Sequence, residues 1–353
     1  MSSNKKYYDL SIVATTRNDN HGGDQLNRVT LFIRGLIHQC NKFRVNAELV
    51  IVEWNPPPNK PLLKAVLPLP GKDDLLTVRF IIVPNEIHST LRHSDKIPLF
   101  QMIAKNVGIR RAKGEFILCT NIDLLFADPI FEFFSKKQLS AGTFYRAIRA
   151  DIPKEIDYTA SVENLLKFAK QNIIKRSGKI TFGNNIRNTQ AHIYKIPFVL
   201  RIASLFKALQ FRFFVKSLKR HLEYRIVCLD TSACGDFTLM AKSDWEKVFG
   251  YPEFEAYSIH IDSLAIISAA AIGIKQVILP LKACSFHISH EDGWENADPI
   301  RKLYKDIDRP MLDWSSVENV ALHLFKTKEP LKINTPTWGF AENEFEEFIF
   351  GIQ

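Results

Sequence analysis

Cysteine is sparse and unpatterned in this chain. The five, Cys40, Cys119, Cys228, Cys234 and Cys284, are odd in number and include no CxxC pair. A disulfide framework or thiolate zinc site is therefore not expected, and a reducing compartment fits. Long apolar runs are also missing. The longest helix-like one is roughly Leu264–Ile274, short of the ~20 residues that cross a bilayer. The opening MSSNKKYYDLSIV lacks the apolar core and small-residue cleavage site of a secretory leader. A cytoplasmic location, with peripheral attachment to the inner membrane face as an option, is the expectation. No GxGxxG follows the first strand-like run, which argues against a dinucleotide-dependent oxidoreductase.

What is present is globular in character. Of 353 residues, 46% are apolar and 24% charged, enough for one large or two ordinary domains with a substantial core. The net charge of +9 is unevenly spread. Residues 164–222 hold 13 Lys or Arg and no acid, leaving the rest of the chain at −4. The basic character thus belongs to one segment.

The first third alternates strand and helix patterns. Leu10–Thr16, Ala47–Trp54, Leu76–Val83 and Glu115–Thr120 read as short buried strands. Asp24–Asn41 carries Leu26, Val29, Ile33, Leu36 and Ile37 on one helical face. Pro98–Ala112 reads as a helix, with Pro in its first turn and Gly114 just past its end. This order predicts an α/β fold with a mainly parallel sheet flanked by helices. Ligands of such sheets bind outside the carboxyl ends of the strands, where Asn121-Ile122-Asp123 falls. The strand–helix logic resumes at Ala233–Met240, Ser243–Gly250, Ile261–Ala271 and Lys275–Leu279. Four units follow: 8–139, a basic and mostly helical insertion at 140–231, 232–296, and a helix-and-loop extension at 297–353. The aromatics from Trp338 to Phe350 read as docking onto the body.

The segments SIVATTRND, VIVEWN, FQMIAKNVGIRRAKGEFILCTNIDLLF, CGDFTLMAKSDWEKVFGYPEF, HIDSL and HISHEDGW follow one another as motifs do in GT-A-fold glycosyltransferases. The resemblance is strongest to the family 2-like inverting enzymes and covers roughly residues 8–135 and 232–295. KNVGIRRAKGEFILCTNID resembles that family's helix–strand–DxD unit and is the most specific match. The resemblance implies a Rossmann-like GT-A fold, a nucleoside-diphosphate sugar donor (a UDP-sugar foremost), and a divalent ion, Mn²⁺ or Mg²⁺. The acceptor would be a glycan, a lipid-linked species or a small molecule.

The resemblance also implies roles for particular residues. A leaving diphosphate gathers negative charge, which a divalent cation offsets as a Lewis acid. Asp123 is the carboxylate ligand; Asn121 stands where the family has its first Asp and brings no charge, but as a nucleotide-sugar-binding residue it could bind sugar hydroxyls or a metal-bound water. His287 and His290 are candidates to complete the metal shell. Trp294 is placed to close over the nucleotide or to pack. Thr15, Arg17 and Asp19 would lie near the nucleotide, with Arg17 pairing with phosphate. Glu53 would accept from a uracil or ribose, and Lys105 and Asn106 match the family's basic-Asn pair. Asp262 leads as the base that deprotonates the acceptor, with Glu255 and His260 as rivals; Asp236 would contact donor sugar or acceptor. Structural readings stand beside these. Asn121-Ile122-Asp123 could be a strand-end turn. Arg17 and Asp19 could be a solvated loop pair, and Asn106 a tie to a neighbouring loop. Asp262 could cap a helix, and Asp236 a strand turn.

Phe211–Leu222 forms a helical wheel with Arg212, Lys216, Lys219 and Arg220 on one side and Phe211, Phe214, Val215, Leu218 and Leu222 opposite. Within 198–222 this suits either an anionic membrane surface, at ~1 kcal/mol per basic residue, or a lid helix with its basic face in water. No nucleic-acid recognition motif accompanies the charge, so no nucleic acid is expected. Two further functions stand beside the transferase: a non-catalytic nucleotide-sugar-binding protein on the same fold, and a sugar nucleotidyltransferase. The latter's Gly-rich loop after the first strand is missing.

Overall fold

The computed structural model describes residues 8–178, 229–290 and 311–351, and the backbone of three short strands between them. The amphipathic segment 198–222, Trp294, and the acids Glu291 and Asp292 lie outside the described residues.

In chain order the elements are β1 (Leu10–Thr16), α1 (Gln25–Phe43), β2 (Ala47–Trp54), β3 (Leu76–Val83), α2 (Asn85–His88) and α3 (Gln101–Arg111). Next come β4 (Phe116–Thr120), β5 (Leu124–Phe126), α4 (Asp128–Ser135), β6 (Thr143–Arg146), β7 (Ile148–Ile152), α5 (Val162–Gln171) and β8 (Lys175–Ser177). β9 (Arg187–Thr189), β10 (His192–Lys195), β11 (Tyr224–Val227), β12 (Phe237–Ala241), α6 (Lys242–Lys247) and α7 (Ile261–Ala271) follow. β13 (Lys275–Ile278), β14 (Cys284–Ile288), α8 (Trp314–Thr327) and β15 (Glu346–Phe350) complete the order.

The fold is α/β, built on a nine-stranded central sheet in the order β15-β3-β2-β1-β4-β12-β6-β13-β9. Its parallel block is β3-β2-β1-β4, with β6 and β13 as a second parallel pair. β12 runs antiparallel between β4 and β6, and β15 and β9 close the edges antiparallel. The sheet is therefore mixed, with its parallel part in these two blocks. Period-2 alternation divides the core. Ile12, Leu49 and Ile51 face α1, where they meet Val29, Phe32, Ile33 and Leu36. Val13, Val50 and Val52 face α3 and α7, meeting Ile103, Val107, Ala265 and Ile266. α3 lies so close to β1 that a Cβ on Gly108 would come within 2.5 Å of Val13 Cγ1.

Residues 143–152, which the sequence places in a mostly helical insertion, are strands: β6 enters the central sheet and β7 a second, four-stranded sheet in the order β5-β14-β7-β8. α5 packs on that second sheet through Val162, Leu165, Leu166 and Ala169. The tail also differs from the helix-and-loop expectation at its end. Glu346–Phe350 is an edge strand on β3, placing the Phe350 and Phe80 rings 6.0 Å apart. Buried Arg79 holds it, pairing with Glu48 at 2.7 Å and Glu347 at 2.9 Å. No helix among the described residues is long and apolar enough to cross a membrane.

Candidate metal and ligand cleft

β1 and β4 are parallel neighbours, so the residues following each leave the sheet at the same end. Their exit lines a cleft of about 330 Å³ with Thr15, Arg17, Asp19, Asn121, Asp123, Arg149, His287 and His290 among its walls. The second sheet brings the histidines there. β5 starts directly after Asp123 and pairs antiparallel with β14, setting His287 opposite Leu124. The Ile288 amide then donates to the Asp123 carbonyl at 3.0 Å. His287 is thus a strand residue, fixed by that register.

Asp123 is buried and has both histidines on one oxygen. His290 Nε2 lies 2.9 Å and His287 Nε2 3.5 Å from Oδ2. Its other oxygen, Oδ1, is buried with no hydrogen-bond partner among the described residues. Burial by itself would raise the Asp123 pKa; the two histidines override it and hold the carboxyl well below its usual range. Burial opposes charge on His287 too, but Asp123 foremost and Asp151 next lift its pKa to about 10. One ligand atom from each of Asp123, His287 and His290 lies within 4.8 Å of the others. An orphaned carboxylate oxygen and two converging imidazoles fit a divalent cation. The mixed nitrogen and oxygen donors suit a first-row ion such as Mn²⁺ better than Mg²⁺, which favours oxygen.

Behind the triad runs a chain of buried polar contacts. Lys105 Nζ donates to Asn121 Oδ1 and to the Gly235 carbonyl, both at 2.9 Å. Gln101 donates to the same Asn121 oxygen at 2.8 Å. Asn121 Nδ2 donates to Asp236 Oδ1 at 2.7 Å. Asp236 Oδ2 meets Arg149 at 3.3 Å, and Arg149 Nε meets Asp151 at 2.6 Å. Burial lowers the Lys105 pKa. The Arg149 pKa is raised, with burial overcome by Asp236 and Asp151.

Other expected residues fall in different places. Thr15 lines the cleft while its hydroxyl donates to the Val52 carbonyl at 3.0 Å. Arg17 and Asp19 form a pair at 3.5 Å on the cleft wall. Glu53, expected to touch a nucleoside, does not line the cleft. It is fully buried, and both carboxylate oxygens take the Leu63 amide, at 2.9 and 3.1 Å. Burial pushes its pKa up to about 7. Asn106 is likewise turned away from the cleft. Its amide clasps the Tyr251 backbone N–H and C=O, each at 2.8 Å, and Glu253 at 2.9 Å.

Asp262 lies in the first turn of α7, where Oδ1 accepts the Ser263 amide at 2.8 Å. It is not among the cleft-lining residues, although a Cβ on Gly235 would stand 3.1 Å from its Oδ2. Glu255 pairs with exposed Arg92 at 3.1 Å, and His260 packs edge-on to Trp314. Sequence reasoning missed Arg149, Asp151, His21 and Arg28. The signal for the first two is the alternation in IRADI, which turns Arg149 and Asp151 to one face of β7.

No protein-family model matches the chain, and no curated protein sequence matches it. Among solved structures, the chain is similar to the crystal structure of GalNAc-T7 with UDP, GalNAc and Mn²⁺. The identity is 14% and the TM-score 0.43, over 94% of this chain and 53% of that one. The chain thus spans about half the length of that protein.

Proposed function

We propose that this chain is a GT-A-type glycosyltransferase that takes a nucleoside-diphosphate sugar, a UDP-sugar foremost, as donor. One observation carries the reading: two histidines converge on a buried aspartate beyond the parallel strands, in a cleft that Thr15, Arg17 and Asp19 also line. The sequence resemblance of residues 8–135 and 232–295 supports the same assignment. Asp123, His287 and His290 would hold the divalent ion. When bound, that ion would offset the charge gathering on the departing diphosphate. Arg17 is positioned at the cleft wall to pair with phosphate oxygens. Asn121 is an amide support, since Gln101, Lys105 and Asp236 use its polar atoms. Arg149 borders the space where sugar hydroxyls would bind, and Asp236, buried behind the cleft wall, holds Arg149 and Asn121. Asp262 is the proposed base for an inverting transfer to a glycan or lipid-linked acceptor.

A second reading, a nucleotide-sugar-binding protein without transfer, draws on one fact. Asp262 is absent from the cleft-lining residues and its carboxylate already serves the α7 turn. Calorimetry of nucleoside diphosphates with and without Mn²⁺ tests the shared part of both readings. Metal-dependent binding lost in Asp123→Ala supports them, and failure to bind any nucleoside diphosphate refutes them. Hydrolysis or transfer of a bound donor then separates enzyme from binder.

A further inference from the structure

We infer that Asp151 is the positioning residue of the metal site, fixing His287 with its proton on Nδ1 so that Nε2 is presented to the ion. The inference rests on the metal site of the proposed function. It begins with register. β7 and β14 are parallel neighbours, and His287 is the register partner of Asp151. Asp151 Oδ1 lies 3.0 Å from His287 Nδ1, on the far side of the ring from Asp123.

Two groups compete for that nitrogen. Arg149 also approaches Nδ1, at 3.0 Å. A guanidinium can only donate, so it needs a lone pair on Nδ1. That tautomer would put the proton on Nε2, facing Asp123, and remove the imidazole as a ligand. A carboxylate can only accept, so it needs Nδ1–H and leaves the Nε2 lone pair free. Arg149 is already engaged with Asp151 at 2.6 Å and Asp236 at 3.3 Å. Its Nε and Nη1 have carboxylate partners and Nη2 is the nitrogen that faces Nδ1, whereas the Nδ1–H tautomer satisfies Asp151 and the metal side together. A carboxylate behind a ligating histidine is how proteins set tautomer and ring angle at metal sites.

His290 differs. Its Nδ1 is buried with no hydrogen-bond partner among the described residues. The two histidines are therefore unequal. The His287 ring is fixed from behind by a carboxylate, whereas the polar contact of the His290 ring among the described residues is to Asp123 on its ligating side.

The test uses the full chain and Mn²⁺ alone. Asp151→Asn offers an amide that can donate to Nδ1 and favour the wrong tautomer. It is expected to weaken Mn²⁺ binding about 10–100-fold, while Asp151→Glu recovers most of the loss. ¹⁵N correlation spectra of the Zn²⁺-loaded wild type, with Zn²⁺ as a diamagnetic ion, are expected to show His287 protonated at Nδ1 and ligating through Nε2. Wild-type Mn²⁺ affinity in Asp151→Asn, equal losses in both variants, or Nε2–H on the loaded His287 would each overturn the inference and leave the metal site standing. A wild-type protein that binds no Mn²⁺ overturns both.

Discussion

Replacing Glu53 by Gln tests whether this residue braces a loop or reads a nucleoside. The Glu53 carboxyl is fully buried, with the Leu63 amide on both oxygens. Burial lifts its pKa from 4.5 to about 7. The folded state therefore holds this proton more tightly than the unfolded chain between those two values. Because the native state binds more protons there, stability falls as pH rises through the window. Below pH 4.5 both states are protonated and the stabilisation is complete; above about 7 it is gone and the curve flattens. Raising the pKa from 4.5 to about 7, at about 1.4 kcal/mol per pH unit, gives a decline of about 3.5 kcal/mol. Glu53→Gln keeps an oxygen for the Leu63 amide and cannot titrate. Urea unfolding from pH 4.5 to 8 should show a decline up to about pH 7 that is steeper in the wild type than in the variant, while groups such as His287 contribute equally to both. Comparing slopes rather than absolute stabilities removes any constant cost of burying the new amide. Parallel curves for the two proteins would refute the bracing role. A loss of nucleoside diphosphate affinity with unchanged pH slope would return Glu53 to the ligand.

Asn106→Ala is expected to cost about 1–3 kcal/mol, because the Tyr251 amide loses its acceptor inside the core. Nucleoside diphosphate affinity should stay unchanged in calorimetry, and a selective loss of affinity would contradict the assignment. Gly108→Ala forces a methyl against Val13 at the α3–β1 contact. Overpacking of this kind costs about 1–3 kcal/mol, so an unaltered thermal midpoint would show that α3 can shift outward freely. Asp123→Ala should abolish Mn²⁺ binding in a titration with the metal alone, and retained binding would place the ion elsewhere.

The parallel block was fully legible in sequence. β1, β2 and β3 fall on the residues read as strands, because each is an unbroken apolar run ended by polar residues. α7 was equally plain from its apolar run. The second sheet was not. β5 and β8 have three residues each, too short for any periodic signal, and β14 owes its place to pairings with segments well over a hundred residues away. The same distance hid the site's support. Asp123 and His287 stand out as chemistry-bearing residues in recognisable segments. Arg149 and Asp151 gain their meaning only when β7 is laid beside β14. Local pattern also leaves Glu53 and Asn106 open between two roles, because a residue near a ligand and one bracing the adjoining loop share the same strand-end or helix position.

Asn121 looks different once its neighbours are counted. From Lys105 to Asp151 the chain, buried at one end and half-buried at the other, holds two cations, Lys105 and Arg149, and two carboxylates, Asp236 and Asp151. A neutral amide in the middle leaves that chain balanced, accepting from Lys105 with its oxygen and donating to Asp236 with its nitrogen. A carboxylate there could still accept from Lys105 but would face Asp236 oxygen to oxygen at hydrogen-bond distance, with no proton between them. Buried polar networks hold only when each member is satisfied. The departure from a paired-acid motif therefore follows from what stands behind it: the amide is the member that lets Lys105 and Asp236 share one site. It leaves Asp123, whose second oxygen has no hydrogen-bond partner among the described residues, as the carboxylate free for the cation of the proposed function.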